Sequence, residues 1–118
     1  MARLRSDLWV AAHLRRCAVA GIEAVLRRRG AAEAGAIFAT LDRLDGTASL
    51  YGPAPQSLLD DDQGGRLFTP ILYGAPPLEI EDRMRREIRF DPDLWWIEIV
   101  DRAGRHLLDL TSDDGSRP

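Results

Sequence analysis

The run Leu94-Trp95-Trp96-Ile97-Glu98-Ile99-Val100 restricts the fold more than any other stretch, because a chain with three tryptophans places two of them side by side in it. Its length and its β-branched and aromatic content are those of a strand. Successive strand side chains point to opposite faces, so Trp95, Ile97 and Ile99 share one face and Leu94, Trp96 and Val100 share the other with Glu98. Each aromatic buries on the order of 150 to 250 Å² when covered. Both faces therefore need cover: a helix on one, and the second helix or another subunit on the other. Neither tryptophan requires a ligand to explain it.

The remaining pattern supplies those helices. Ser6 as N-cap, Asp7 in the first turn, and Val10, Ala11, Leu14, Cys17 and Ala18 at helical spacing predict a helix over 6–20, stopped at Gly21. Residues 22–29 read as a strand with Ile22, Ala24 and Leu26 on one face, ended by Gly30. Asp45-Gly46 predicts a two-residue hairpin turn with Leu41 opposite Leu50. That register collects Ile37, Ala39, Leu41, Ala48 and Leu50 on one face and Phe38, Thr40 and Tyr51 on the other. Residues 52–65, rich in proline, glycine and acid, predict a mobile loop. The next strand, 66–74, contains Pro70, which lacks the donor a central position needs, so it belongs at an edge. Behind Pro76-Pro77, the spacing of Ile80, Met84 and Ile88 predicts a helix over 78–89, and Asp91-Pro92 ends it. The turn Asp101-Arg102-Ala103-Gly104 and residues 105–110 predict a second hairpin. The expected fold is a single α+β domain over 1–110 with a flexible tail over 111–118. Its order is α-β-β-β-β-α-β-β, a mixed or largely antiparallel sheet of about five to six strands with two helices.

Composition narrows the function classes. At 118 residues, 45% hydrophobic and 30% charged, the chain has the make-up of a folded globule. All sixteen basic residues are arginine, with neither lysine nor asparagine present, so arginine abundance follows base composition and not a preference for its bidentate fork. A net charge of −3 argues against a surface that attracts nucleic acid everywhere. One cysteine excludes an intrachain disulfide framework. No apolar run approaches the ~20 residues of a membrane span, and charge interrupts any signal-peptide core near the N-terminus. The expected location is the cytoplasm, without membrane contact.

Three constellations carry chemistry. His13 and Cys17 lie at i and i+4, a spacing that suits a shared metal or an activated thiolate, but one cysteine and two histidines are too few ligands for a zinc site. A core cysteine beside a border histidine is the expected reading, with no metal and no cofactor. Asp91, Asp93, Glu98 and His106 are a polar group able in principle to supply acid/base chemistry, although Asp-Pro is ordinary turn chemistry. Glu98 stands out because its strand face is otherwise apolar, and Arg28, Arg43 or Arg102 is the expected partner. Arg15, Arg16, Arg27, Arg28 and Arg29 could line an anion or nucleic-acid surface, but strand alternation points Arg27 and Arg29 away from Arg28. The chain has no P-loop, GxGxxG, GxSxG or paired CxxC.

The segments SDLWVAAHLRRC, AVLRRRGAAEAGAIF, RLDGTASLYGPAP and IRFDPDLWWIEIVDRAGRHLL together resemble the bacterial proteins grouped as domain of unknown function 1491. The resemblance spans roughly residues 4 to 110 and implies a single-domain bacterial protein; it carries no activity, cofactor or catalytic residue to any position. The function expected from the residues is a small non-enzymatic binding or accessory domain, meeting a protein partner or a second copy of itself through a sheet face or edge. Nucleic-acid or nucleotide binding through the five arginines is the first alternative, and a small hydrolase built on Asp91, Asp93, Glu98 and His106 the second.

Overall fold

A computed structural model describes residues 4–55 and 66–111 of the chain. Helix α1 spans Ser6–Val19, strands β1 to β4 span Glu23–Arg28, Ile37–Asp42, Ala48–Pro53 and Phe68–Ala75, helix α2 spans Pro77–Phe90, and β5 spans Trp95–Val100. The loop expected over 52–65 and the tail over 111–118 fall largely outside the described residues.

The five strands form one mixed sheet in the order β1-β5-β2-β3-β4. β5 lies antiparallel to β1 and parallel to β2, while β2, β3 and β4 form an antiparallel meander. Those directions make β4 and β5 parallel, so α2 is the crossover that carries the chain back from one edge toward the other. The tandem tryptophans thus sit on a strand paired on both sides and covered on both faces. Trp95, Ile97 and Ile99 pack with Trp9, Val10 and Cys17 of α1. Leu94 and Trp96 pack with Ile80 and Met84 of α2. Their polar atoms are satisfied as well, Trp95 Nε1 donating to the Ala31 carbonyl at 2.7 Å and Trp96 Nε1 to Thr40 Oγ1 at 3.2 Å.

Local chemistry explains the ends of α1. Ile22 N–H donates to the Cys17 carbonyl and Gly21 N–H to that of Ala18, and Gly21 takes φ +77°, the paired bonds of a left-handed C-terminal cap. Ser6 is not the N-cap: it is the first helical residue, fully buried, with its hydroxyl donating to the Gly35 carbonyl at 2.6 Å. The loop carbonyls of Glu33 and Ala32 accept from the Ser6 and Asp7 N–H groups instead.

Two pairings differ from those expected. The β2–β3 register places Thr40 opposite Leu50 and Leu41 opposite Ser49, one residue from the hairpin predicted by Asp45-Gly46. Asp42 Oδ1 accepts from Leu44 N–H, and Asp45 Oδ1 accepts from both the N–H and the hydroxyl of Thr47, which builds a longer loop. Leu44 adopts φ +61° in it. The slip leaves β2 as expected but turns β3 over: Tyr51 joins the α1 face, and Ala48 and Leu50 the α2 face. The second hairpin does not form either. β5 has no free edge to offer, being already flanked by β1 and β2, so the C-terminal segment crosses to β4, where Leu110 bridges Phe68 in parallel.

Candidate functional site

The Arg27 guanidinium organises the α2 face. A register shift between Leu26 and Arg28 makes Arg27 a bulged residue, and Arg28 occupies the rung opposite Trp96. Arg27 lies 3.9 Å from the centre of the Trp96 ring and bridges Glu81 of α2, at 3.2 Å, to Glu98 of β5, at 3.1 Å. The partner of Glu98 is therefore Arg27, where Arg28, Arg43 or Arg102 was expected. Arg27 shares the face of Val25, opposite Glu98, as alternation requires, and the bulge adds Arg28 to that face and turns Arg29 to the other. Arg29 lies 5.3 Å from the Trp95 ring, across the sheet from Arg27, so the two arginines expected to share a face do not.

On the α1 face, His13 is fully buried and stacked at 4.7 Å on Trp9. Arg16 Nη2 lies 2.9 Å from His13 Nδ1; a guanidinium only donates, so Nδ1 accepts and the ring proton sits on Nε2, which donates to the His106 carbonyl at 2.9 Å. His106 Nδ1 in turn accepts from the Leu108 N–H at 2.9 Å. Burial holds both imidazoles below their ordinary pKa, and pushes the Cys17 thiol up. Both His13 nitrogens are engaged and Cys17 is held as a thiol, which leaves neither a free base nor a thiolate. Beside this pair an open cleft of about 580 Å³ is lined by Trp9, Arg16, Arg66, Leu107, Leu108 and Asp109. Arg66 spends its Nη2 on the Leu4 carbonyl and Ser6 Oγ, which ties the cleft wall to the start of α1.

The polar group Asp91, Asp93, Glu98 and His106 does not converge. Asp91 caps the end of α2, where its carboxylate accepts from the Asp93 N–H, whereas Glu98 faces α2 and His106 packs on the other side of the sheet against Tyr51. Strand alternation separates Glu98 from the α1 face, and no sequence spacing reveals that. The arginines are similarly divided. Arg15 and Arg16 lie on α1, Arg27 is engaged with two carboxylates, and Arg28 donates to the Pro92 carbonyl at 2.8 Å. Among the described residues no group of three or more His, Cys, Asp or Glu side chains is placed to hold a metal ion.

What sequence reading missed is the difference between the two sheet edges. β4 carries Pro70, and its first residue is covered: Phe68 N–H donates to the Asp109 carbonyl and its own carbonyl accepts from Thr111. β1, at the other edge, contains no proline and among the described residues pairs with β5 alone. Val25 and Leu26 at its centre are 45% and 37% exposed. Edge status depends on where β5 inserts, a non-local fact, although the absence of proline from 22–29 was legible.

This architecture, one α+β domain with a mixed five-stranded sheet and a helix on each face, is that of a known family. The family model for "Protein of unknown function (DUF1491)" matches residues 4–109, and the chain belongs to this family. The solution structure of protein Atu0922 from A. tumefaciens is 43% identical, with a TM-score of 0.79, over 92% of this chain and 94% of that one. A crystal structure of a DUF1491 family protein from Caulobacter crescentus CB15 is 34% identical, with a TM-score of 0.75, over 92% of this chain and 98% of that one. An NMR structure of a DUF1491 family protein from the same organism gives 34% identity and a TM-score of 0.76, over 95% and 100% of the two chains. No curated protein matches the chain. Among the described residues no helix is long and apolar enough to cross a membrane.

Proposed function

We propose that the chain is a non-enzymatic cytoplasmic binding domain whose contact surface is the open β1 edge. The observation that carries this reading is the asymmetry of the edges among the described residues: β4 is blunted by Pro70 and by residues 109–111, while β1 is blunted only past Leu26, by its bulge. An edge strand presents unpaired N–H and C=O groups to an incoming extended segment, and exposed apolar side chains on both faces add side-chain contact. Val25 and Leu26 supply them. The dispersal of Asp91, Asp93, Glu98 and His106 supports binding over catalysis, since acid/base chemistry needs such groups within reach of one reacting atom. A cytoplasmic location agrees with Cys17 being a free, buried thiol.

The test is affinity capture from the native lysate, with and without nuclease, using the wild-type chain and Val25→Arg. Arginine at 25 faces Glu98 across the β1–β5 pair, so the variant is compatible with the sheet while it puts a charge where the apolar side chains of an incoming strand would pack. A nuclease-resistant protein recovered at near-equal stoichiometry by the wild type and lost with Val25→Arg is the expected result. Recovery indifferent to Val25→Arg, or abolished by nuclease, overturns the edge reading in favour of the arginine-lined surfaces.

A further inference from the structure

We infer that the β1 edge is built to pair with a second copy of itself, antiparallel, about a two-fold axis at Val25. This rests on the β1 edge being the contact surface and adds the identity of what meets it. Directly opposed residues in a sheet must point to the same face, which restricts the self-pairing register to those that match side for side. Placing Val25 opposite Val25 satisfies this and sets Ala24 opposite Leu26. The next rung belongs to Arg28 and not Arg27, because the bulge lifts Arg27 out of step: Leu26 pairs with Ile97 and Arg28 with Trp96 on the inner side. Glu23 of one copy therefore meets Arg28 of the other, twice, by symmetry.

Face and charge agree at every rung. Glu23, Val25 and Arg28 lie opposite Val100, Glu98 and Trp96, all on the α2 face, while Ala24 and Leu26 lie opposite Ile99 and Ile97 on the α1 face. Arg27 is already committed to Glu81 and Glu98, whereas neither Glu23 nor Arg28 has an ion-pair partner among the described residues. The strand is thus charge-complementary to its own antiparallel copy: Glu23 is at one end, Arg28, which donates only to the Pro92 carbonyl among the described residues, is at the other, and apolar residues lie at the centre. Such a two-fold contact uses up the open edge of both copies and leaves only the Pro70-bearing edges outside, so the assembly stops at two. A contact of these few rungs buries less than the roughly 1,600 Å² of a standard interface, so association is weak and concentration-dependent.

Cysteine cross-linking reads the register directly. Opposed residues of an antiparallel pair have Cα atoms about 4.5 to 5.5 Å apart, within disulfide reach. Residue 23 of one copy is about four residues, or ~13 Å, from residue 23 of the other. Cys17 is fully buried and does not compete. At high protein concentration and mild oxidation, Val25→Cys is expected to convert mostly to a species of twice the 13.2 kDa chain mass, while Glu23→Cys stays single. Without oxidant, Glu23→Arg and Arg28→Glu should each weaken dimerisation roughly tenfold in sedimentation, and an equimolar mixture of the two should restore it, which also shows that both fold. A wild-type chain that stays monomeric at high concentration with no cross-link at 25, or equal cross-linking at 23, overturns the self-pairing. If a different protein is then still captured in a manner lost with Val25→Arg, the edge reading survives; capture indifferent to that variant removes both.

Discussion

Gly30 and Gly35 show how single residues fix the join between the loop after β1 and the turn before β5. Ala31 N–H donates to the Asp93 carbonyl at 2.9 Å and Trp95 N–H to the Ala36 carbonyl at 2.7 Å, pulling the loop after β1 against the Asp-Pro-Asp turn before β5. A Cβ on Gly30 would stand 2.6 Å from the carbonyl carbon of Leu94, and one on Gly35 would stand 2.9 Å from the Ala31 carbonyl oxygen; both would run into the Asp93 carbonyl. These are backbone atoms that cannot swing aside. Gly30→Ala is expected to cost about 1–3 kcal/mol in chemical denaturation through overpacking. Gly21→Ala should cost only about 1 kcal/mol, since a Cβ there meets nothing within 4 Å and only the positive φ resists it. Equal losses at the two positions would mean that the close approach of 30–35 to 93–94 is not what holds the join.

At the scale of elements, periodicity located both helices and all five strands, and it assigned the faces of β5 correctly because Trp95 to Val100 alternate without interruption. It failed where local chemistry adds a residue. Asp42 and Asp45 side chains build a five-residue loop over 43–47 that the Asp-Gly pair alone does not announce, and the bulge at Arg27 redirects one arginine. The same loop strains Leu44, 48% exposed at φ +61°. Asparagine tolerates that conformation better, so Leu44→Asn is expected to stabilise by about 0.5–1 kcal/mol, seen as a raised denaturation midpoint. A loss would show that the side chain contributes more than its backbone costs. The contact between α1 and the C-terminal segment is acid-sensitive for a different reason. His13 and His106 each accept a hydrogen bond at Nδ1, which protonation forbids, and burial lowers both pKa values; at His13 the hydrogen bond to the His106 carbonyl opposes this, Arg16 adds to it and Asp109 opposes it weakly. A folded-state pKa below the ordinary value of about 6.5 leaves stability whole above that pH and erodes it as pH falls. Urea midpoints should therefore begin to drop as pH falls below about 6.5, and His13→Gln should flatten the drop.

The whole molecule explains why the fold was more legible than the order of its strands. Covering two faces is a statement about composition along a strand, and Trp95-Trp96 make it locally. Which strands end as edges depends on β5 entering between β1 and β2, a pairing between residues 58 to 77 positions apart that no window of sequence contains. The separation of Glu98 from His106 follows from the same insertion, since it fixes which side of the sheet each one meets. Order in the sheet also ranks local stability. β5 is bonded along both sides and buried on both faces, whereas β1 is bonded along one side and largely exposed. Opening β5 requires the whole sheet to part; opening β1 does not. In native-state hydrogen exchange the bonded amides of β5 and β2 are expected to exchange only through global unfolding, and the outward amides of β1 fastest among the strands. Raising the protein concentration should slow exchange at Ala24 and Leu26 selectively if the edge pairs with its copy, while leaving β4 unchanged. Slowing spread evenly over the sheet would instead report a general gain in stability, and the edge would have no part in it.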